Sequence, residues 1–400
     1  MLQANDQHGN SVVLALKSKA DIRKMRSECS FFCPVCNETL TVKAGSQVVP
    51  HFSHKSGSKC VHTGKGEGAY HEKGKLDIFQ WLAGQEIHIE LEAYLPEIKR
   101  RPDILAKIGS KTIAVEYQCA AMPADEFYRR NAAYQELSII PFWILGGNRL
   151  NRAGRNKVKI TANEKFFIHK FTPDFPLTMF FYCPNTQQFS LFKDIQLTGK
   201  RSAYGHLNYF SLNNSSLSDL LKVKKSASFN LYQFWKKEKY QFRTKILSRR
   251  ASASEKAWQD WLYEKRTHHS LLPGFIHLPV PGQYRMKTPP WIWQSKLCLE
   301  LLAPIDEQQP ISLQRCYHLL EQDFLPPSLF PLILVKSDPV REYLHLLASL
   351  HIVKFISNQE IIKLRPISFP KNVELALRAD NQIIKILQTR YPIASISSHE

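Results

Sequence analysis

The segment from residue 101 to residue 118 constrains the fold of this chain more than any other part of the sequence. Residues 103–108 and 112–118 are strand-like, and Gly109-Ser110 between them suits a tight hairpin turn. Side chains alternate between the two faces of a strand, so Glu116 and Gln118 share one face. If Asp103 lies on that face, two carboxylates and an amide converge near the open end of the hairpin.

Asp103 and Glu116 in this arrangement suit Mg²⁺ or Mn²⁺, because hard divalent cations prefer oxygen ligands. Such an ion can activate water and neutralise charge while a phosphodiester is cleaved. Glu116 follows three apolar residues, which predicts a central strand where an unpaired carboxylate is costly. The alternative is that both acidic residues are simply solvated at strand ends, and their spacing alone is weak evidence against it.

A helix predicted over residues 67–82 carries Glu67, His71 and Lys75 at i, i+4 and i+8, on one helical face. We expect Glu67 to hold the metal or a metal-bound water, and His71 and Lys75 to contact a scissile phosphate. A solvated, salt-bridged helix face is the alternative. On the next predicted helix, over residues 123–134, Arg130 is a candidate phosphate contact or an exposed side chain.

Four residues near the N-terminus have zinc-ligand character: Cys33, Cys36, His51 and His54. Two cysteines and two histidines form a set that tetrahedral Zn²⁺ accepts, and four protein ligands indicate a structural ion. The two histidines are closer together than is usual, so Cys29, Cys60 and His62 are spare ligands. A zinc-free β module with buried thiols is the alternative.

The charge of the chain indicates a polyanionic partner. It has 54 lysines and arginines against 35 acidic residues, a net charge of +19. Residues 151–250 hold 19 basic and five acidic residues, a local excess of +14. The sequence has neither a bilayer-spanning apolar run nor a secretory signal pattern, so we expect a cytoplasmic protein whose eight cysteines are thiols or metal ligands.

Residues 222–250 interleave cations with aromatic side chains in a predicted helical stretch. Cations neutralise phosphates and rings stack on unpaired bases, so we predict a DNA-binding surface here. Its candidate residues are Lys222, Lys224, Lys225, Lys236 and Lys237. The alternative is a helix that buries its aromatic residues and solvates its lysines, and for any single aromatic residue this is the better interpretation.

The chain divides into four predicted regions. Residues 1–64 form a zinc-finger-like β module, and residues 65–150 form a compact domain of helix, strands, helix and strand. Residues 151–250 are a basic DNA-binding or connecting region, and residues 251–400 are a largely α-helical C-terminal domain. The fold class is therefore α/β (α+β), with a mixed-sheet core.

The motifs together resemble the competence protein CoiA family. The order and spacing agree over roughly residues 30–147, and a looser match continues through Trp258-Gln259 and Trp293-Gln294. The matching pieces are Cys33-Pro-Val-Cys36, His51-Phe-Ser-His54, Glu67-x3-His71-x3-Lys75, Arg101-Pro-Asp103, Ala114-Val-Glu-Tyr-Gln118, Phe127-x2-Arg130-x3-Tyr134 and Trp143-Ile-Leu-Gly146.

The resemblance implies a restriction-endonuclease-like core of the PD-(D/E)xK type, an N-terminal zinc-finger-like region and a helical C-terminal region. It also implies a role in natural transformation, in which incoming single-stranded DNA recombines with the chromosome alongside the recombinase RecA. The third position of the nuclease pattern is usually lysine, and here it is Gln118. Glutamine carries no charge, so Lys75 is the candidate replacement.

Two functions are therefore compatible with the sequence. The first is a Mg²⁺-dependent deoxyribonuclease acting on branched or single-stranded DNA. The second is a DNA-binding accessory factor for the recombinase, with a catalytically weak or inactive nuclease fold. They differ over whether Lys75 reaches the metal-binding carboxylates in place of Gln118.

Overall fold

The computed structural model describes residues 1–45, 49–60, 68–199, 201–223, 231–245 and 252–390. Within these residues the helices are α1 Lys19–Glu28, α2 Ala69–Ala83, α3 Ala124–Glu136, α4 Leu217–Leu221, α5 Leu231–Thr244, α6 Ala253–Glu264, α7 Pro290–Lys296, α8 Leu313–Leu319, α9 Pro339–Ser349 and α10 Val373–Arg390. The strands are β1 Gln3–Asp6, β2 Ser11–Val13, β3 Phe31–Phe32, β4 Thr39–Lys43, β5 His51–His54, β6 His88–Leu91, β7 Ile104–Ile108, β8 Lys111–Gln118, β9 Ile140–Gly146, β10 Lys157–Lys159, β11 Met179–Cys183, β12 Gln188–Leu197, β13 Ser202–Ser211, β14 Pro310–Ser312, β15 Val353–Phe355 and β16 Glu360–Lys363.

The chain forms two compact units. The first unit comprises Met1–Asn151, Met179–Phe192 and Leu207–Lys222. The second comprises Arg152–Thr178, Lys193–His206 and Val223–Glu400.

The N-terminal module is a five-stranded sheet in the order β2-β1-β3-β4-β5, and each strand runs antiparallel to its neighbours. Helix α1 begins with a capping box, in which Ser18 accepts from the Asp21 amide and Asp21 accepts from the Ser18 amide. The buried rings of Phe31 and Phe52 pack 4.8 Å apart between the strands. The predicted β module is therefore present.

An eight-stranded mixed sheet has the order β10-β13-β12-β11-β9-β8-β7-β6. Strand β9 runs parallel to both β8 and β11, and α3 supplies the crossover from β8 to β9. Helix α3 begins directly after Pro123, whose fixed φ suits a helix start. This confirms the predicted mixed-sheet core, and it adds strands between residues 157 and 211, where the sequence had indicated a basic connecting region.

The second unit contains the predicted C-terminal helices, together with a small sheet in the order β14-β16-β15. Helix α7 continues into a π-helical turn at Leu297–Leu302. The aromatic residues Tyr232 and Trp235 of α5 are buried in this unit, so the core interpretation holds for them. No helix among the described residues is long and apolar enough to cross a bilayer.

Candidate functional site

The hairpin of β7 and β8 brings two carboxylates to neighbouring positions. Gly109 adopts the left-handed φ of +56° that the turn requires. The register pairs Ile104 with Val115, so Asp103 and Glu116 lie one residue further along, across from each other at the open end. The Tyr117 amide donates to Asp103 Oδ2 at 2.9 Å, which fixes the aspartate against the end of β8.

Helix α2 supplies a lysine and a histidine to Asp103. Lys75 Nζ lies 3.6 Å from Asp103 Oδ1, and His71 Nε2 lies 3.7 Å from the same oxygen. The i, i+4 spacing that the sequence predicted therefore puts both side chains against one carboxylate. Burial opposes ionisation of Asp103, but Lys75 and His71 together hold its pKa well below the usual value. Glu67, the third predicted residue of this face, lies outside the described residues.

Sequence reasoning missed Glu92, a carboxylate that shares Lys75 with Asp103. Lys75 Nζ lies 2.5 Å from Glu92 Oε1, Arg101 lies 3.6 Å from Glu92 Oε2, and the Leu2 amide donates to Oε2 at 2.9 Å. Burial would raise the pKa of Glu92, but Lys75 and Arg101 lower it to about 2. Its position just after β6 was the only signal in the sequence, and its burial depends on long-range packing.

Glu116 is contacted from α3. Arg130 lies 3.1 Å from Glu116 Oε2, and the Tyr134 hydroxyl donates to Glu116 Oε1. Burial, with the nearby charge of Asp103, raises the pKa of Glu116 to about 7, although Arg130 opposes the change. The negative charge of Asp103 thus influences the ionisation of Glu116. The lysine beside Asp103 comes from α2, and the arginine beside Glu116 comes from α3.

Gln118 has another hydrogen-bond partner. Its amide nitrogen donates to the Ala120 carbonyl oxygen at 2.9 Å, and no carboxylate of the described residues accepts from it. The convergence of Asp103, Glu116 and Gln118 at one metal ion therefore stays a prediction. The oxygen donors of Asp103 and Glu116 are of the kind that Mg²⁺ or Mn²⁺ accepts.

The N-terminal module brings four potential zinc ligands together: Cys33, Cys36, His54 and Cys60. Their ligand atoms all lie within 4.8 Å of one another, and Cys36 Sγ lies 3.4 Å from His54 Nε2. The Val35 amide donates to Cys33 Sγ at 3.4 Å, which would stabilise a thiolate there. Three cysteines and one histidine form a set that suits structural zinc.

The structure corrects one predicted ligand, because Cys60 takes the place of His51 in this cluster. His51 and His54 are three residues apart in β5, and strand alternation directs side chains with that spacing to opposite faces. The His51 ring instead contacts the Val49 carbonyl oxygen at 2.9 Å through Nδ1. Of the spare ligands, His62 lies outside the described residues, and Cys29 is not in the cluster.

The lysines predicted to bind DNA have mixed outcomes. Lys236 and Lys237 are exposed on α5, and Lys222 is exposed beside Asp219, with 2.7 Å between Nζ and Oδ1. Lys224 and Lys225 lie outside the described residues. Two other cations of this stretch are structural, because Lys239 and Arg243 are buried against Asp380 at 3.1 and 2.8 Å.

Comparisons with known proteins agree with this architecture. Residues 14–63, 67–225 and 231–377 match the N-terminal, nuclease-like and C-terminal domains described for competence protein CoiA. The chain is also 33% identical to the competence protein CoiA of Bacillus subtilis (strain 168) over 291 residues, which are 72% of this chain and 77% of that protein. No solved structure matches the chain.

Proposed function

Because the chain belongs to the competence protein CoiA family, we propose that it processes DNA in natural competence through a metal-dependent nuclease-like site. In this proposal it assists recombination of incoming single-stranded DNA. The family resemblance also supports a cytoplasmic place of action beside the recombinase RecA. The nuclease-like domain and the excess of basic residues both favour a nucleic-acid partner.

The observation that carries the nuclease proposal is the position of Lys75. It lies 3.6 Å from Asp103, which itself lies across the hairpin from Glu116. The sequence lacks a lysine at position 118, and a lysine from α2 supports the view that the positive charge comes from a neighbouring element. The site thus combines a carboxylate pair with a cation, the residue types that phosphodiester hydrolysis requires.

In this proposal Asp103 and Glu116 hold Mg²⁺ or Mn²⁺, which would supply an activated water and charge neutralisation when bound. Lys75 is fully buried, so it supplies positive charge to the site without touching the phosphate, and Glu92 fixes the direction of its ammonium group. His71 lies on the same face of α2, is partly exposed and offers the direct contact to the phosphate. Arg130 opposes protonation of Glu116 and is the candidate DNA contact of α3.

The test is a cleavage assay on single-stranded, duplex and branched DNA with Mg²⁺ or Mn²⁺. Asp103→Asn, Glu116→Gln and Lys75→Met should each lower the cleavage rate by about 100-fold or more, the usual cost of removing a group that stabilises the transition state. Lys107→Met is the matched control, because Lys107 is exposed on the same hairpin and should leave the rate unchanged. Wild-type protein that cleaves none of these substrates would contradict the proposal.

A second function, a DNA-binding accessory factor without nuclease activity, is favoured by the surroundings of Glu116. Arg130 and Tyr134 donate hydrogen bonds to the two carboxylate oxygens of Glu116, and Gln118 donates one to the Ala120 carbonyl oxygen. These groups are therefore already engaged within the protein. A factor of this kind would bind DNA and stimulate the recombinase without cleavage. Recombinase assays with Asp103→Asn distinguish the two functions, since an accessory factor should keep its full effect.

The exposed lysines Lys222, Lys236 and Lys237 are the part of the proposed DNA surface that can be tested directly. Reversing their charges should weaken DNA binding and flatten the slope of log affinity against log salt by about 0.7 for each lost contact to a single strand. Asp103→Asn should leave both quantities unchanged. If the lysine variant keeps the wild-type slope, these residues are only a solvated surface.

A further inference from the structure

A cavity of about 470 Å³ lies inside the second unit, lined by α5, α6 and the start of α7. Its aromatic wall consists of Phe242, Trp258 and Trp291. The Phe242 ring centroid lies 5.8 Å from that of Trp291 and 6.3 Å from that of Trp258. Both the volume and the aromatic lining are typical of sites that bind small planar molecules.

Three polar side chains line the same cavity with buried atoms that lack hydrogen bonds. Within the described residues, neither ring nitrogen of His269 or His277 makes a hydrogen bond of normal geometry, and nor does Gln259 Nε2. His269 and His277 are 4% and 1% exposed. The His269 ring has a weak hydrogen bond with the Lys245 backbone and the His277 ring has one with the Thr198 backbone, which leaves one nitrogen of each ring to be satisfied. Since buried polar groups are normally bonded, three in one cavity indicate a missing partner.

Trp293-Gln294, a second Trp-Gln pair in the same unit, contains a glutamine whose side-chain amide is hydrogen-bonded within the protein. Gln294 is fully buried, and its amide accepts from the Leu278 nitrogen and donates to the Leu278 oxygen, both at 2.8 Å. The Gln259 nitrogen has no such partner, although Gln259 also follows a buried tryptophan. The two Trp-Gln pairs therefore have different roles.

The electrostatics of the cavity favour a neutral ligand. Burial lowers the pKa of His269 to about 4 and that of His277 well below its usual value, so both rings are uncharged at neutral pH. A neutral imidazole offers one donor and one acceptor. The two lining carboxylates already have cations, since Glu238 lies 2.6 Å from Lys157 and Glu255 lies 3.5 Å from Lys245. Lys245, the cation among the described lining residues, is therefore already paired with a carboxylate.

We propose that this cavity binds an unpaired nucleobase, which stacks on Trp291 and exchanges hydrogen bonds with Gln259 and the two histidines. A nucleobase is planar and aromatic, and its edge carries both donors and acceptors, as the cavity requires. We assign it to single-stranded DNA, so this part rests on the proposed function. A free nucleoside offers the same chemistry and is distinguished by experiment.

The experiment measures binding of the full-length protein to a single-stranded oligonucleotide, to an abasic strand of equal length, and to free adenosine and thymidine. Stacking contributes about 1–3 kcal/mol per base, so Trp291→Ala should weaken binding to the base-containing strand by about 5- to 150-fold. Binding to the abasic strand and the salt slope should not change, because phosphate contacts remain. Trp291→Phe retains a ring and should restore most of the affinity.

Trp261→Ala is the matched control, because this half-buried tryptophan of α6 does not line the cavity. Gln259→Leu should keep the stacking contact but change the preference among homopolymeric strands. If Trp291→Ala is folded and binds both strands like wild type, the nucleobase proposal is wrong while the proposed function stands. A further outcome is that the wild-type protein binds nucleosides but no DNA, and that Trp291→Ala loses the nucleoside binding. This outcome would support the chemistry of the cavity and overturn its assignment to DNA.

Discussion

Replacing Asp380 by asparagine should destabilise the second unit strongly. Its carboxylate is 4% exposed and lies between two buried cations, Arg243 at 2.8 Å and Lys239 at 3.1 Å. Arg243 donates to both carboxylate oxygens, which holds α5 against α10. Asparagine keeps the size of the side chain but removes its charge, so the measured loss reflects electrostatics rather than a cavity.

The magnitude follows from the burial of all three groups. Removing one partner of a buried ion pair costs about 3–5 kcal/mol, because the other charge is left without compensation. Burial already lowers the pKa of Lys239 to about 8, with Asp380 opposing that change. Without the carboxylate, Lys239 should lose its proton at neutral pH, and Arg243 should keep a charge that among the described residues is contacted by backbone carbonyls such as those of Ser270 and Leu272.

Thermal unfolding followed by tryptophan fluorescence is a suitable assay, since five of the seven tryptophans of the chain lie in this unit. The expected fall in Tm is roughly 6–20 °C for a unit of this size. Glu374→Gln is the matched control, because Glu374 pairs with Arg378 on the same helix but both are largely exposed. It should cost about 0.3–0.5 kcal/mol. Equal, small changes in the two variants would refute the reasoning.

Three further predictions concern other parts of the chain. Cys60→Ala should abolish stoichiometric zinc binding in elemental analysis, and His51→Ala should retain it. Equal loss of zinc from both variants would contradict the proposed ligand set. Gly74→Ala should cost about 1–3 kcal/mol in urea unfolding, because its Cβ would lie 2.2 Å from a buried tyrosine ring, whereas Gly84→Ala meets only ordinary contacts. Burial raises the pKa of Glu342 from 4.5 to about 8, so between these pH values the native state keeps a proton that the unfolded chain loses. The free energy of unfolding should therefore fall as the pH rises through this range, by up to about 1.4 kcal/mol per pH unit. Glu342→Gln should remove that decline in stability. Parallel profiles of unfolding free energy against pH for the variant and the wild type would disprove this prediction.

The sequence determined the local geometry of the candidate site. A glycine turn between two strand-like segments was sufficient to predict the hairpin that carries Asp103 and Glu116, because turns and strand alternation depend on neighbouring residues. The i, i+4 spacing likewise placed His71 and Lys75 on one face of α2, where both contact Asp103. The periodicity of a segment fixes which side chains share a face, whatever the rest of the chain does.

Only the tertiary structure decided which groups meet those faces. Glu92 joins Lys75 across 17 positions of the chain, and Asp380 joins Arg243 across 137, so neither pairing leaves a local pattern. The basic character of residues 222–250 gave no means of separating the exposed Lys236 from the buried Lys239. The reason is physical: the sign of a side chain's charge is local, but its burial, its partner and hence its pKa depend on what distant segments pack against it.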